Sequence, residues 1–303
     1  MKAILIKPYF EYVKNALPGI ELYHTPEECS DAEVLIGLAP NVEVEILEKL
    51  PKLKWIQLLS AGYDNINLKY LKNRNITLTN GRGIYSIPIA EDVLCKILMS
   101  NCNALRYLDN QKKHIWQPYK GRVELCAQTV GIIGTGSIAT EIAKRLQAFG
   151  VKVLGYKRTP VEAMMYFDEV YFGKDKLNYI LSVSDYIVVT TDLNEDTFHL
   201  LNKSNLKYMK KDASIINIAR GSIINQQDLI ELLKNNNIKY AGLDVYETEP
   251  LPAEDELWKL DNVYLTPHTS GTVENNKDRI HNLIIDNIKR YISNESLMNI
   301  IKL

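Results

Sequence analysis

In the second half of the chain an arginine, a set of carboxylates and a histidine each follow a short apolar run. The three segments are Asn217-Ile218-Ala219-Arg220-Gly221-Ser222, Gly242-Leu243-Asp244-Val245-Tyr246-Glu247-Thr248-Glu249-Pro250-Leu251-Pro252 and Leu265-Thr266-Pro267-His268-Thr269-Ser270-Gly271. A guanidinium beside a glycine can hold a carboxylate through two parallel hydrogen bonds and still polarise a neighbouring carbonyl. An imidazole titrates near neutrality, and a carboxylate beside it favours the protonated form that can give a proton to an alkoxide. Taken singly, each residue also has an ordinary reading: Arg220 as a surface arginine paired with an acid, His268 and the acids as structural or solvated groups. The remaining histidines, His24, His114, His199 and His281, have no comparable setting and read as surface or packing residues.

A fourth segment supplies a place for a large anionic cofactor. Thr129-Val130-Gly131-Ile132-Ile133-Gly134-Thr135-Gly136-Ser137-Ile138-Ala139 runs from an apolar strand through a glycine turn into a helix beginning near Ser137. Gly134 allows the tight turn and Gly136 lets backbone approach a pyrophosphate, whose charge sits on the free amides of the helix start. Thr135 and Ile138 belong to the same dinucleotide-contacting turn, and Ala139 fills the third small position. Roughly twenty residues past such glycines an acid ordinarily bonds the adenosine ribose, yet the strand Val151–Tyr156 ends in Lys157-Arg158-Thr159. Two cations and a hydroxyl suit a ribose phosphate, so NADP is expected to be preferred, with NAD as the lesser cofactor. The alternative is that Lys157 and Arg158 are solvated strand-end charges.

These segments require a scaffold that delivers strand ends to one place. The chain has 303 residues, 46% hydrophobic content and a formal charge of -1, enough for two cores and without the excess charge that would favour nucleic acid. No N-terminal signal pattern is present and no stretch approaches the ~20 apolar residues of a membrane span, so a cytoplasmic location with no membrane partner is expected. Cys29, Cys95, Cys102 and Cys126 form no CxxC pair and read as reduced thiols, with no metal site assigned.

Short β-rich runs alternate twice with helical patterns, which predicts parallel sheets built of βαβ units. Strands are predicted at Ala3–Ile6, Val34–Gly37, Trp55–Leu59 and Ile76–Thr79, with helices at Val42–Leu50 and Asn65–Asn73. A second series runs from the fingerprint strand through Val151–Tyr156, Tyr186–Thr191, Ala213–Ile218, Tyr240–Val245 and Val263–Leu265, with a helix at Gln226–Lys234. A helix Ile89–Asn103, with Pro88 just before it, is expected to cross between domains. Ile280, Leu283, Ile284, Ile288, Tyr291 and Ile292 lie at helical spacing in a last helix, Thr272–Ser293, that needs a surface to pack on. The expected fold is α/β with two doubly wound parallel-sheet domains. A flavodoxin-like substrate domain takes residues 1–98 and 278–303, and a Rossmann dinucleotide-binding domain takes 99–277.

With these residues in place, the chain resembles the D-isomer-specific 2-hydroxy acid dehydrogenases, which include glyoxylate and hydroxypyruvate reductases and phosphoglycerate dehydrogenase. The resemblance runs through Ser60-Ala61-Gly62-Tyr63-Asp64, Asn80 with Gly83, Ala90-Glu91, the glycine fingerprint, Ala219-Arg220-Gly221, Asp244-Val245, Glu249-Pro250-Leu251-Pro252 and Pro267-His268, in the family's order. It implies Arg220, Glu249 and His268 as a catalytic trio and the amides of Ala61 and Gly62 as a cradle for the substrate carboxylate. It further implies Asp244 at the nicotinamide amide, and Thr190, Thr191, Ile218, Ala219 and Gly271 along the dinucleotide. The implied reaction is reduction of a 2-keto acid to the D-2-hydroxy acid, or its reverse, by a homodimer. Two departures fall in the cofactor region: Asp192 where many members have proline, and Lys157 in place of the usual acid. Among rival readings, a dinucleotide-sensing protein without turnover is disfavoured by the complete trio. A formate dehydrogenase is disfavoured by Glu249 in place of an amide. A phosphoglycerate enzyme with a regulatory extension is disfavoured because the chain stops at Leu303, soon after the last helix.

Overall fold

A computed structural model describes residues 1–159 and 164–303. The chain divides into two compact units, Met1–Tyr85 with Val273–Leu303, and Ser86–Thr272.

The first unit holds a five-stranded sheet of β1 (Lys2–Leu5), β2 (Glu21–Tyr23), β3 (Val34–Gly37), β4 (Trp55–Leu58) and β5 (Thr77–Thr79), in the order β2-β1-β3-β4-β5. Every pairing is parallel. Successive residues of a strand serve opposite faces: Ala3, Leu5, Val34, Ile36 and Trp55 pack in one buried cluster, and Ile4, Leu35, Ile56 and Leu58 in another. Burial of both faces explains why these strands read as unbroken apolar runs. The helix Asn276–Ile292 closes one face by placing Ile280, Leu283, Ile284 and Ile288 in the cluster of Ala3 and Leu5.

The second unit holds seven parallel strands: β6 (Thr129–Ile133), β7 (Lys152–Lys157), β8 (Glu169–Phe172), β9 (Tyr186–Val189), β10 (Ser214–Asn217), β11 (Tyr240–Leu243) and β12 (Val263–Leu265). Their order is β12-β11-β10-β9-β6-β7-β8, so chain direction across the sheet reverses between β6 and β9. That reversal is a topological switch point, where open α/β sheets bind ligands beyond the strand carboxyl ends. The helices Ser86–Asn101 and Ser137–Leu146 cover one face through Ala90, Val93, Ile97, Ala139, Ile142 and Leu146. Among the described residues no helix is long and apolar enough to cross a membrane.

Both sheets have the parallel doubly wound character predicted from sequence, and the structure adds two strands. β2 and β8 sit at sheet edges with exposed or half-buried residues, so neither carries the apolar run that marks a central strand. The helix predicted over Val42–Leu50 shrinks to the turn Val44–Leu47, because Asn41 folds its side chain back onto the Leu38 amide and closes a separate 3-10 turn first. Asn67 caps the next helix by accepting from the Tyr70 amide at 3.0 Å, so it begins at Leu68 and not at Asn65. Pro88 lies inside the first turn of its helix, which starts at Ser86 and ends at Asn101; proline is tolerated there because the missing N–H has no helical acceptor anyway.

Candidate active site

Arg220 follows β10, the Asp244–Glu249 loop follows β11 and His268 follows β12, three strands that are neighbours in the sheet. Parallel pairing puts all three carboxyl ends at one edge, which is how residues far apart in sequence come into reach. Gly221 ties the first loop to the second: a Cβ there would lie 1.9 Å from the Tyr246 carbonyl carbon and 2.4 Å from the Glu247 nitrogen, so only glycine admits the approach. Asn217 fixes the strand end, its Oδ1 accepting from the Ala219 amide at 3.1 Å and its Nδ2 donating to the Arg220 carbonyl at 2.9 Å. The half-buried Arg220 side chain donates from one terminal nitrogen to the Ala219 carbonyl at 2.7 Å.

His268 and Glu249 form a pair, with Nδ1 and Oε2 2.7 Å apart. The second Glu249 oxygen accepts from the Tyr246 amide at 3.0 Å, which orients the carboxylate. Among the described residues Nε2 of His268 has no partner, and the imidazole is 49% exposed, so this nitrogen is open to an incoming molecule. His268 has a φ of 53°, in the left-handed region that costs a non-glycine residue conformational energy, and its loop must hold it there. The clamp is Asp244, which is 1% exposed. Its Oδ1 accepts from Thr266 Oγ1 at 2.5 Å and the Thr269 amide at 2.9 Å, its Oδ2 from the Ser270 amide at 3.0 Å, and its carbonyl from the His268 amide at 2.8 Å. Tyr246 donates its hydroxyl to the Thr266 carbonyl at 2.9 Å, and burial pushes that phenol up, keeping it a neutral donor. Gly271 lies just beyond this clamp, half-buried.

The glycine turn has the geometry a dinucleotide needs. Gly134 has a φ of 102°, and a Cβ there would come within 2.8 Å of the Thr191 nitrogen and 2.9 Å of Thr190 Oγ1. Thr190 Oγ1 in turn lies 3.2 Å from the carbonyls of Ile133 and Gly134, which fixes the turn against the loop after β9. Gly136 faces open space and caps the Ser137–Leu146 helix without a side-chain bond, leaving the first amides available. Thr135 Oγ1 is buried without a partner among the described residues, an orphan hydroxyl in the middle of the turn. Ser137 is held by the Ser86 hydroxyl at 3.1 Å, and Ile138 packs against the core. Ile218 and Ala219 are nearly buried at the β10 end. These residues fit a bound nicotinamide dinucleotide.

Lys157 ends β7, next to the Tyr156 carbonyl that accepts from the Gly134 amide at 2.9 Å. Arg158 pairs with Asp196, a partner that sequence spacing did not indicate, and both side chains are exposed. Thr159 is exposed and is the last residue described before position 164. In the first unit, the Ser60–Gly62 loop is braced by Ser60 Oγ donating to the Gly62 carbonyl at 2.9 Å and Asn80 Nδ2 donating to the Ala61 carbonyl at 2.6 Å. The Ala61 and Gly62 amides have no acceptor among the described residues.

Sequence reasoning missed Asn217, Lys96 and Asp92 as participants. Lys96 had a visible signal: it interrupts the helical stripe of Val93, Ile97 and Ser100, all buried. His199, read from sequence as a surface or packing residue, pairs with Glu247, 48 positions away, and stacks on Phe198.

The fold and site define a two-unit α/β oxidoreductase that works with a nicotinamide dinucleotide. Residues 94–270 match the family described as D-isomer specific 2-hydroxyacid dehydrogenase, NAD binding domain. The glyoxylate reductase of Korarchaeum cryptofilum (strain OPF8) is 30% identical over 285 residues, covering 91% of this chain and 84% of the relative. A D-isomer specific 2-hydroxyacid dehydrogenase family structure from Aeromonas salmonicida superposes with a TM-score of 0.85 at 31% identity, covering 99% of this chain and 98% of that one. A D-isomer specific 2-hydroxyacid dehydrogenase from Xanthobacter autotrophicus Py2, in complex with NADPH and MES, gives 0.86 at 25% identity, covering 99% and 97%. The chain belongs to the D-isomer-specific 2-hydroxyacid dehydrogenase family, oxidoreductases that act on CH–OH donors with a nicotinamide dinucleotide and small keto or hydroxy acids.

Proposed function

We propose that this chain reduces a small 2-keto acid of the glyoxylate or hydroxypyruvate type to the D-2-hydroxy acid, and runs the reverse, with Arg220, Glu249 and His268 as its catalytic residues. The observation that carries the reading is the 2.7 Å His268–Glu249 hydrogen bond, which occupies Nδ1 and turns Nε2 outward. The bound dinucleotide supplies the hydride. As negative charge grows on the carbonyl oxygen, His268 gives it the Nε2 proton while Glu249 stabilises the imidazolium and keeps its orientation. Arg220 anchors the carboxylate and stabilises the developing alkoxide, a contribution of several kcal/mol when such donors are preorganised. The Ala61 and Gly62 amides, which have no acceptor among the described residues, are substrate-binding donors of the first unit, which makes it the substrate domain and the second unit the dinucleotide domain. Asp244, beside its clamp role, accepts from the nicotinamide amide, and Thr190, Thr191, Ile218, Ala219 and Gly271 contact the dinucleotide.

NADP is the preferred cofactor in this reading. Lys157 and Arg158 stand at the end of β7 where an acid would repel a ribose phosphate, and the phosphate would displace Asp196 from Arg158. NADPH in the similar Xanthobacter structure supports the same assignment. A cytoplasmic homodimer completes it. Four free cysteines suit a reducing compartment. Pairing through the second units is supported by a fully exposed Trp116 and by an apolar groove of about 540 Å³ lined by Leu94, Cys95, Leu98 and Met99.

The test is a panel of glyoxylate, hydroxypyruvate and longer 2-keto acids run with NADPH and with NADH, followed by reduced-nicotinamide absorbance. At least one acid should be reduced, faster at equal concentration with NADPH. Tight dinucleotide binding without oxidation by any acid would overturn the enzymatic reading, and equal efficiency with NADH would overturn the cofactor preference.

A further inference from the structure

Lys96 is 0% exposed, and nothing in the mechanism above uses it. Its stem crosses β11 at Gly242, where a Cβ would come within 3.1 Å of Lys96 Cβ and Cδ, so the glycine makes the passage. Beyond it, the ammonium donates to Asp92 Oδ2 at 2.5 Å and to Thr266 Oγ1 at 3.1 Å, and lies 5.4 Å from the centre of the Tyr264 ring. Asp92 Oδ2 also accepts from Ser270 Oγ at 2.5 Å. Thr266 Oγ1 and the Ser270 amide both donate to Asp244, at 2.5 and 3.0 Å, so the contacts close into a ring: Lys96, Asp92, Ser270, Asp244, Thr266. A hydroxyl has one proton. Thr266 Oγ1 accepts from the ammonium and gives its own proton to Asp244 Oδ1 at 2.5 Å, the nearer acceptor, the Leu243 carbonyl lying at 3.5 Å.

The ring grips the chain immediately on either side of His268, at Thr266 and at Thr269–Ser270, and His268 is the residue in the left-handed conformation. We propose that Lys96 is a positioning residue for His268, acting through the Thr266 hydroxyl and the Asp92–Ser270 arm. A buried ammonium in two directed contacts fixes the spacing between the Ser86–Asn101 helix and the His268 loop more tightly than apolar packing does, because each hydrogen bond constrains angle as well as distance. Loss of the ammonium leaves two carboxylates, Asp92 on the helix and Asp244 after β11, facing the His268 loop with no cation in the ring.

This inference rests on His268 as the proton donor, and its test separates the two. In Thr266→Val the bridge is cut with little change of shape, Thr266→Ser restores the hydroxyl, and Lys96→Met removes the charge at similar length. In Thr266→Val and Lys96→Met, kcat for 2-keto acid reduction should fall about 10- to 100-fold, the effect of misplacing a catalytic group by about 1 Å. Dinucleotide Kd should change less than about threefold in both, and Thr266→Ser should stay within about threefold of wild type in kcat. Independently of turnover, the ring ¹⁵N resonances of His268, identified by their loss in His268→Asn, should move in Thr266→Val and Lys96→Met and stay in place in Thr266→Ser. If Lys96→Met does not fold, the Thr266 pair decides. Unmoved His268 resonances, a kcat loss matched by an equal loss of dinucleotide affinity, or a Thr266→Ser variant as impaired as Thr266→Val would each overturn the proposal. A wild type that reduces no 2-keto acid would instead overturn the reading of function and leave the resonance result to judge the positioning.

Discussion

Two histidine–glutamate pairs hang from one loop, and they differ in what they leave over. Glu247 Oε1 meets His199 Nε2 at 2.8 Å, and two residues later Glu249 Oε2 meets His268 Nδ1 at 2.7 Å. His199 has its other nitrogen 3.4 Å from Asn225 Nδ2 and its ring stacked on Phe198 at 4.0 Å, while Glu247 also accepts from the Gln226 amide at 3.0 Å. That pair is consumed by its surroundings. His268 keeps Nε2 free among the described residues and its loop is held by a buried carboxylate; a left-handed φ does not separate the two, being 53° at His268 and 47° at His199. A carboxylate beside an imidazole is therefore not enough to mark a proton donor; an unspent ring nitrogen on a fixed loop is the distinguishing feature.

The largest test of this difference is replacement of each histidine by asparagine. His268→Asn should lower 2-keto acid reduction at least about a hundredfold, the low end for a lost general acid. His199→Asn should leave kcat within about threefold and lower unfolding stability by ~1 kcal/mol, the usual worth of a hydrogen bond. Equal losses of activity in the two variants would erase the distinction. The glutamates sharpen it at smaller scale. Glu249→Gln keeps a hydrogen-bond partner but removes the anion that orients and stabilises the proton donor, so kcat for 2-keto acid reduction should fall about tenfold. Glu247→Gln should leave kcat within about threefold, and a matching loss would show the two pairs to be coupled.

The smallest effect concerns a third histidine, held by ring stacking, whose burial outweighs the opposing charge of Asp278. His281 stacks on Tyr12 at 3.6 Å, and burial lowers its pKa below the ordinary 6.5. The folded state then binds fewer protons there than the unfolded state. Its contribution to stability is present above the ordinary value and is lost as pH falls through the lowered one. Denaturant midpoints measured from neutral to mildly acidic pH should fall less in His281→Phe, which keeps the stack and cannot titrate. An identical fall in wild type and variant would count against this.

Much of the fold was legible in the sequence because parallel strands buried on both faces leave apolar runs, as in Val34–Gly37 and Tyr186–Val189. The edge strands Glu21–Tyr23 and Glu169–Phe172 were not, since an edge needs no such run. Asn41 and Asn67 moved helix starts through side-chain bonds that propensity does not register. In the site, Gly134 was legible because its turn chemistry is local, whereas Asp196 against Arg158 and Lys96 against Thr266 were not.

The chain alone determined the glycine turn, the strand-and-helix alternation and the residue types at three strand ends, because each depends on neighbours within a few positions. Tertiary structure decided which of those residues meet. The order β10-β11-β12 sets the ends of three strands side by side, and the passage at Gly242 lets a lysine from a distant helix reach the His268 loop. Contacts of that kind depend on how strands cross over and in what register they pair, and the periodicity of one segment carries no record of either.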